Sequence, residues 1–147
     1  MGTNISHSPA ETAAIGESWG RAAVAGEVIE HTFDDLAFLR ECHRVLKPGG
    51  TLILSTPNLT SLKNRILMLL GFNPRFALAD YHYRVYTIHI LRTLLGRSPF
   101  RRVRILGSYV IYSRGREPVL GGLFEWLGNM RPSWAEHFIV VAEKESG

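Results

Sequence analysis

Glu27, Glu30 and His31 are the residues of this 147-residue chain whose types and spacing point most sharply to chemistry. On a helical turn, positions i, i+3 and i+4 share a face, so two carboxylates and an imidazole can converge. On an extended strand Glu30 would point away from Glu27 and His31. Oxygen and imidazole donors gathered in this way suit Mg²⁺, Mn²⁺ or Zn²⁺. Such a metal would hold a substrate hydroxyl and lower its pKa toward nucleophilic attack. The competing account is structural, with Glu30 and His31 capping the following helix and pairing with a nearby arginine. What separates the two is whether the chain turns helically at or just after Glu27.

Other candidate groups carry less. His43 falls on the flank opposite the apolar side of a predicted helix and is expected to face solvent. His89 and His137 have no acidic or cysteine neighbour at ligand spacing, and no role is assigned to them. Arg97, Arg101, Arg102 and Arg104 form the densest basic cluster, beside Phe100. If Phe100 to Tyr109 is a strand, Arg102 and Arg104 share one face and Val103 and Ile105 the other. A solvated outer face accounts for this cluster, and a phosphate-bearing substrate is the sharper alternative. Basic and aromatic residues do not interleave, which argues against a nucleic-acid partner.

The elements that must position these residues follow from periodicity. Met1 to Gly20 is polar and without sustained period, so residues 1–20 are expected to form a flexible arm. Ala22 to Ile29 is small and apolar throughout, predicting a strand covered on both faces. Thr32-x-x-Asp35 offers a capping-box variant, and Leu36, Phe38, Leu39, Cys42, Val45 and Leu46 define a buried helix face. Pro48-Gly49-Gly50 is expected to end that helix before a second strand, Thr51 to Ser55. Strand, crossover helix and strand of this length imply a right-handed parallel unit.

Leu59 to Leu70 reads as another helix, with Lys63, Asn64 and Arg65 as its polar face and Gly71 as its stop. A loop with Pro74 and a dense aromatic and histidine group (Tyr81, His82, Tyr83, Tyr86) follows. A helix is then predicted over Thr87 to Leu95, capped by Gly96, with strands at Phe100 to Tyr112 and His137 to Glu143. Between those strands, Leu120, Leu123, Phe124 and Leu127 suggest a short amphipathic helix within Pro118 to Met130, packed down by Trp126 and Trp134. No apolar run reaches membrane-spanning length, because Ile66 to Leu70 is cut short by Gly71. A lone cysteine and no secretory signal pattern give the expectation of a cytoplasmic protein.

Gly26-Glu27-Val28-Ile29-Glu30-His31 followed by Leu46-Lys47-Pro48-Gly49-Gly50 resembles the middle of class I S-adenosylmethionine-dependent methyltransferases. Ser55-Thr56-Pro57-Asn58, His82-Tyr83-Arg84-Val85-Tyr86-Thr87 and Ala135-Glu136-His137-Phe138-Ile139-Val140-Val141-Ala142-Glu143-Lys144 extend the resemblance in the same order. It implies an α/β, partial Rossmann-like fold of about four strands in a mixed sheet, the last strand antiparallel, flanked by helices. Residues 21–147 would then be the C-terminal half of the domain. The implied reaction is methyl transfer from S-adenosylmethionine to a small-molecule oxygen, nitrogen or carbon. Gly26, Glu27 and Val28 would stand beside the cofactor, because ligands in this fold bind at the carboxyl ends of the strands. The E-x-x-E-H spacing also resembles the metal site of the small-RNA 2′-O-methyltransferases and ubiquinone-pathway O-methyltransferases. That likeness adds His82, from a later loop, to Glu27, Glu30 and His31.

The family's cofactor grip has no counterpart in this sequence. Its first strand ends in a glycine-rich turn, and an acidic residue about twenty positions later holds the ribose hydroxyls. Here Gly16-Glu17-Ser18-Trp19-Gly20 is the only nearby glycine pair, and it follows no apolar strand. The expectation is a truncated methyltransferase domain, inactive alone, with the sheet edge at the Ala22 strand open to self-association or a complementary chain. The alternative is a non-catalytic binding module using that edge. A dinucleotide-binding oxidoreductase half is disfavoured because its fingerprint is missing too.

Overall fold

The structure, a computed structural model, describes residues 20–74, 82–108 and 121–146. The predicted arm, Tyr81, and the predicted strand beyond residue 108 therefore lie outside the described residues, as does Leu120.

Ten elements follow one another along the described chain. Strand β1 (Gly20–Gly26) leads into a 3-10 turn (Ile29–His31) and helix α1 (Asp35–Val45). Strand β2 (Leu46–Pro57) precedes helices α2 (Leu62–Leu69) and α3 (Ile88–Arg97). Strand β3 (Arg101–Gly107), helix α4 (Gly121–Met130), a 3-10 turn (Pro132–Trp134) and strand β4 (His137–Glu143) complete it. The four strands form one sheet in the order β1-β2-β4-β3. β1 and β2 are parallel, as the strand-helix-strand pattern predicts, and β4 is antiparallel to both β2 and β3, as the resemblance implies.

α1 crosses between the two parallel strands and buries Leu39 and Cys42 against the sheet. Leu52 and Leu54 of β2 meet Phe138, Val140 and Ala142 of β4 in that core. Leu91, Leu94 and Leu95 of α3 close it from the β3 side, with Phe100 beneath. Burial pushes the Cys42 thiol up to about 12, and the adjacent Glu41 carboxylate adds to the shift. Gly107 and Gly128 let β3 and α4 touch backbone to backbone, since a Cβ on either would collide with the other segment.

Several expectations are corrected. β1 is not covered on both faces: its residues alternate, with Ala23 and Ala25 against the core while Val24 is 73% exposed. It is an edge strand, so one face and one backbone edge lack strand neighbours among the described residues. Asp34, not Thr32, caps α1, its Oδ1 accepting from the Ala37 N–H at 2.8 Å. Pro48-Gly49-Gly50 lies inside β2, where the pairing jumps from Gly20–Leu46 to Ala22–Thr51 across a bulge. Gly49 takes φ +73 there, a conformation that suits glycine.

α2 keeps Lys63 and Arg65 exposed as predicted but departs from its predicted face at Asn64. Asn64 is buried, while Ile66, Met68, Leu69 and Leu70 are exposed. Gly96 lies within α3, which Ser98 terminates. His43 does not point freely into solvent; its ring stands edge-on to Phe100 with centroids 5.2 Å apart. Trp126 is exposed rather than packed down, whereas Trp134 is half-buried under the Arg131 guanidinium.

Candidate functional site

β1 ends at Gly26, and Glu27 takes φ +52, in the left-handed region. Its N–H still donates to the Ser55 carbonyl at 3.0 Å, so the reversal happens on the rim of the sheet. Ile29–His31 then forms one 3-10 turn, closed by the His31 N–H on the Val28 carbonyl. The Thr32 hydroxyl donates to the Ile29 carbonyl at 2.8 Å and tightens the exit.

This turn drives Glu30 inward, where it is 2% exposed. Glu30 Oε2 accepts from the Thr56 hydroxyl at 3.0 Å, while Oε1 is buried with no hydrogen-bond partner among the described residues. A buried carboxylate oxygen left so is costly, on the order of 1–3 kcal/mol, and calls for a partner.

The loop before α3 is fastened to the same turn. The Tyr83 and Arg84 N–H groups both donate to the Glu30 carbonyl, at 3.0 and 3.2 Å. Arg84 also donates to the Phe33 carbonyl at 2.8 Å and stands 3.5 Å from Asp35. The Tyr86 hydroxyl donates to Asp35, and burial followed by the Asp35 charge holds that phenol well above its ordinary range. These ties bring His82 to His31, with ring centroids 4.7 Å apart. One donor atom from each of Glu30, His31 and His82 falls within 4.8 Å of the others.

Three of the four predicted ligands therefore converge, and Glu27 does not. The left-handed reversal at Glu27 breaks the helical relation to Glu30 on which that prediction depended. Glu27 points instead to His137, with Oε1 and Nε2 3.0 Å apart. His137 was assigned no role; no local spacing could have revealed it, because β4 brings it across the sheet. Glu30 and His31 are not the helix cap of the competing account either, since Asp34 holds that place.

Gly26, Glu27 and Val28 stand at the carboxyl end of β1, beside Ser55 at the carboxyl end of β2. β4 starts at this same end, with His137 opposite Pro57. The cluster and the Glu27–His137 pair thus share one end of the sheet, where open α/β folds bind ligands.

Asn58 holds this end together and was not singled out from the sequence. Its side chain donates to the Ser133 and Ala135 carbonyls and accepts from the Thr60 N–H. Its own carbonyl accepts from the buried Asn64 amide at 2.9 Å, which explains why Asn64 faces inward.

A family described as "Methyltransferase domain" matches residues 7–54, from β1 through most of β2 and some residues before. The human mitochondrial ubiquinone biosynthesis O-methyltransferase is 54% identical over 41 residues, 28% of this chain and 11% of that protein. The ubiquinone biosynthesis O-methyltransferase of Xanthomonas campestris strain B100 is 54% identical over 39 residues, 26% of this chain and 16% of its relative. Over this stretch, about a third of its length, the chain is similar to S-adenosylmethionine-dependent methyltransferases.

Solved structures of that fold extend the likeness beyond the matched segment. An S-adenosylmethionine-dependent methyltransferase from Thermotoga maritima superposes with a TM-score of 0.60 at 19% identity, over 85% of this chain and 56% of that one. One from Archaeoglobus fulgidus gives 0.60 at 15% identity, over 92% and 64% respectively. The chain thus shares the methyltransferase fold and spans under two thirds of these neighbours' length. The family match begins at residue 7, inside the segment predicted to be an arm. Among the described residues no helix is long and apolar enough to cross a membrane.

Proposed function

We propose that this chain forms the acceptor side of an S-adenosylmethionine-dependent methyltransferase, and that a strand carrying a glycine-rich turn must pair with β1 before the cofactor is held. The observation that carries this reading is the edge of β1, unpaired among the described residues, and its exposed face, with Val24 73% exposed at the strand whose carboxyl end bears Gly26 and Glu27. Parallel strands are ordinarily paired and covered on both faces. Gly26 is exposed and lets a cofactor approach the backbone, with Glu27 and Val28 following it at the rim.

When bound, S-adenosylmethionine supplies an already activated methyl group. The chain's part is to position a small-molecule oxygen, nitrogen or carbon acceptor in line and to exclude water. Glu30, His31 and His82 would hold a divalent cation that polarises such an acceptor, and the orphaned Glu30 Oε1 fits that use. The buried free thiol of Cys42 fits a reducing compartment such as the cytoplasm.

Titration calorimetry with S-adenosylmethionine tests the reading. The chain alone is expected to show no tight binding. A fusion of residues 20–147 behind the N-terminal part of the Xanthomonas relative is expected to bind with a low-micromolar Kd, on the order of −8 kcal/mol. Low-micromolar binding by the chain alone would overturn the proposal. The exposed edge also supports a second reading, a non-catalytic module that pairs with another chain. A folded fusion that pairs but binds no cofactor would favour it.

A further inference from the structure

The arginine cluster noted in the sequence is not used by the site just described. Arg101 pairs with Glu143, which pairs in turn with Thr51 at the start of the regular part of β2. The site lies at Ser55 to Pro57, about 13 Å further along the strands at 3.3 Å per residue. β3 is also the edge opposite β1. The cluster therefore belongs to the other end and the other edge of the sheet.

There, α3 and β3 flank an open cleft of about 430 Å³, in the size range of small-molecule sites. Leu95, Phe100, Val103 and Ile105 give it an apolar floor, and Arg92, Arg101 and Arg102 surround it. In a regular strand Arg101 and Arg102 would point to opposite faces. Here the register is irregular between Arg101 and Arg104, and Arg102 takes φ +47, and both residues line one cleft. A bulge re-aims side chains in this way, and a left-handed arginine is strained, a feature that collects at functional positions.

Arg92 and Arg101 make no ion pair among the described residues. Arg102 faces Glu143 at 3.5 Å, a long pair between exposed groups that water screens. Arginines that only blunt a sheet edge need neither convergence nor an apolar floor.

We propose that this cleft binds a small phosphate monoester carrying an apolar body. Three arginines line the cleft with no acidic residue in its lining, and only Arg102 faces a carboxylate, so the site calls for more than a single negative charge. A phosphate monoester carries about −1.5 to −2 at neutral pH, against −1 for a carboxylate. Guanidinium forks match its oxygens in pairs, and the apolar floor takes the ring or chain attached to it.

Phenyl phosphate is the probe, titrated calorimetrically into the full chain at low salt, with benzoate, inorganic phosphate and a single-stranded oligonucleotide as comparators. Saturable 1:1 binding of phenyl phosphate is expected, about tenfold tighter than benzoate or inorganic phosphate. Arg92→Gln and Arg101→Gln are each expected to weaken it about tenfold, as loss of one charge-assisted contact does. Arg102→Gly relieves the strained backbone, so the melting temperature should hold or rise while affinity falls. That combination separates ligand binding from a structural role. Absence of saturable binding would overturn the proposal. So would affinity unchanged in Arg102→Gly or in the Arg92→Gln/Arg101→Gln double variant, or tighter binding of the oligonucleotide.

Discussion

Glu27 Oε1 stands 3.0 Å from His137 Nε2, tying the first residue beyond β1 to the first residue of β4. The contact fixes the rim of the site and removes Glu27 from the group formed by Glu30, His31 and His82. Both side chains are partly exposed, so the pair contributes about 0–1 kcal/mol and acts mainly by position.

The backbone at Glu27 gives the first prediction. A left-handed non-glycine residue costs about 1–2 kcal/mol, which Glu27→Gly relieves while losing the weak pair. Its melting temperature should equal or exceed that of the parent. Glu27→Val, with a branched Cβ in the same conformation, should be clearly less stable. Equal losses in the two variants would place the effect in the side chain instead.

Glu30 tests the cation reading. Thermal melts of chelator-treated protein should shift upward on adding Mg²⁺, Mn²⁺ or Zn²⁺, by about 2.7 kcal/mol of stabilisation at a hundredfold excess over Kd. Glu30→Gln keeps an acceptor for Thr56 and should abolish the shift. No shift in the parent protein would remove the cation from the account.

Asn58 should be the most sensitive polar position. Asn58→Ala leaves the Ser133 and Ala135 carbonyls and the Thr60 N–H without their partner. Buried groups orphaned in this way cost about 1–3 kcal/mol each, so a net loss of about 2–4 kcal/mol is expected in urea denaturation. Asn58→Asp still accepts from Thr60 but cannot donate, and should also be destabilised.

His43 introduces a pH dependence. Burial, and then the Lys144 charge, hold its folded pKa below the ordinary 6.5. The unfolded chain therefore binds its proton first as pH falls. Stability from this group is complete above about 6.5 and declines as pH drops from there through the folded pKa. His43→Gln should flatten that part of a melting-temperature profile. An unchanged profile would assign the decline to other groups.

Val24 tests the open edge. Val24→Lys puts a charge on the exposed face of β1 and should reduce self-association in light scattering. As a surface change it should alter stability by no more than about 0.5 kcal/mol. Undiminished association would show that another surface is responsible.

The sequence alone determined what rests on local physics. Period-2 and period-3.6 patterns, with Pro and Gly between them, are local properties, and they located β2, α1, α3 and β4 and the parallel β1-α1-β2 unit, while the antiparallel last strand followed from the family resemblance. The Glu30-His31 pair was legible as chemistry because adjacency in sequence guaranteed adjacency in space once a turn formed. Tertiary structure decided the rest. Glu27 went to His137 because a left-handed reversal and an antiparallel strand meet at the sheet rim, and no spacing encodes that meeting. α2 buried Asn64 while leaving Ile66, Met68 and Leu69 exposed, because the buried Asn58 carbonyl required the Asn64 amide. β1 reads as a strand buried on both faces because small apolar residues fit that place, yet burial is fixed by neighbours, which a strand's own residues do not specify.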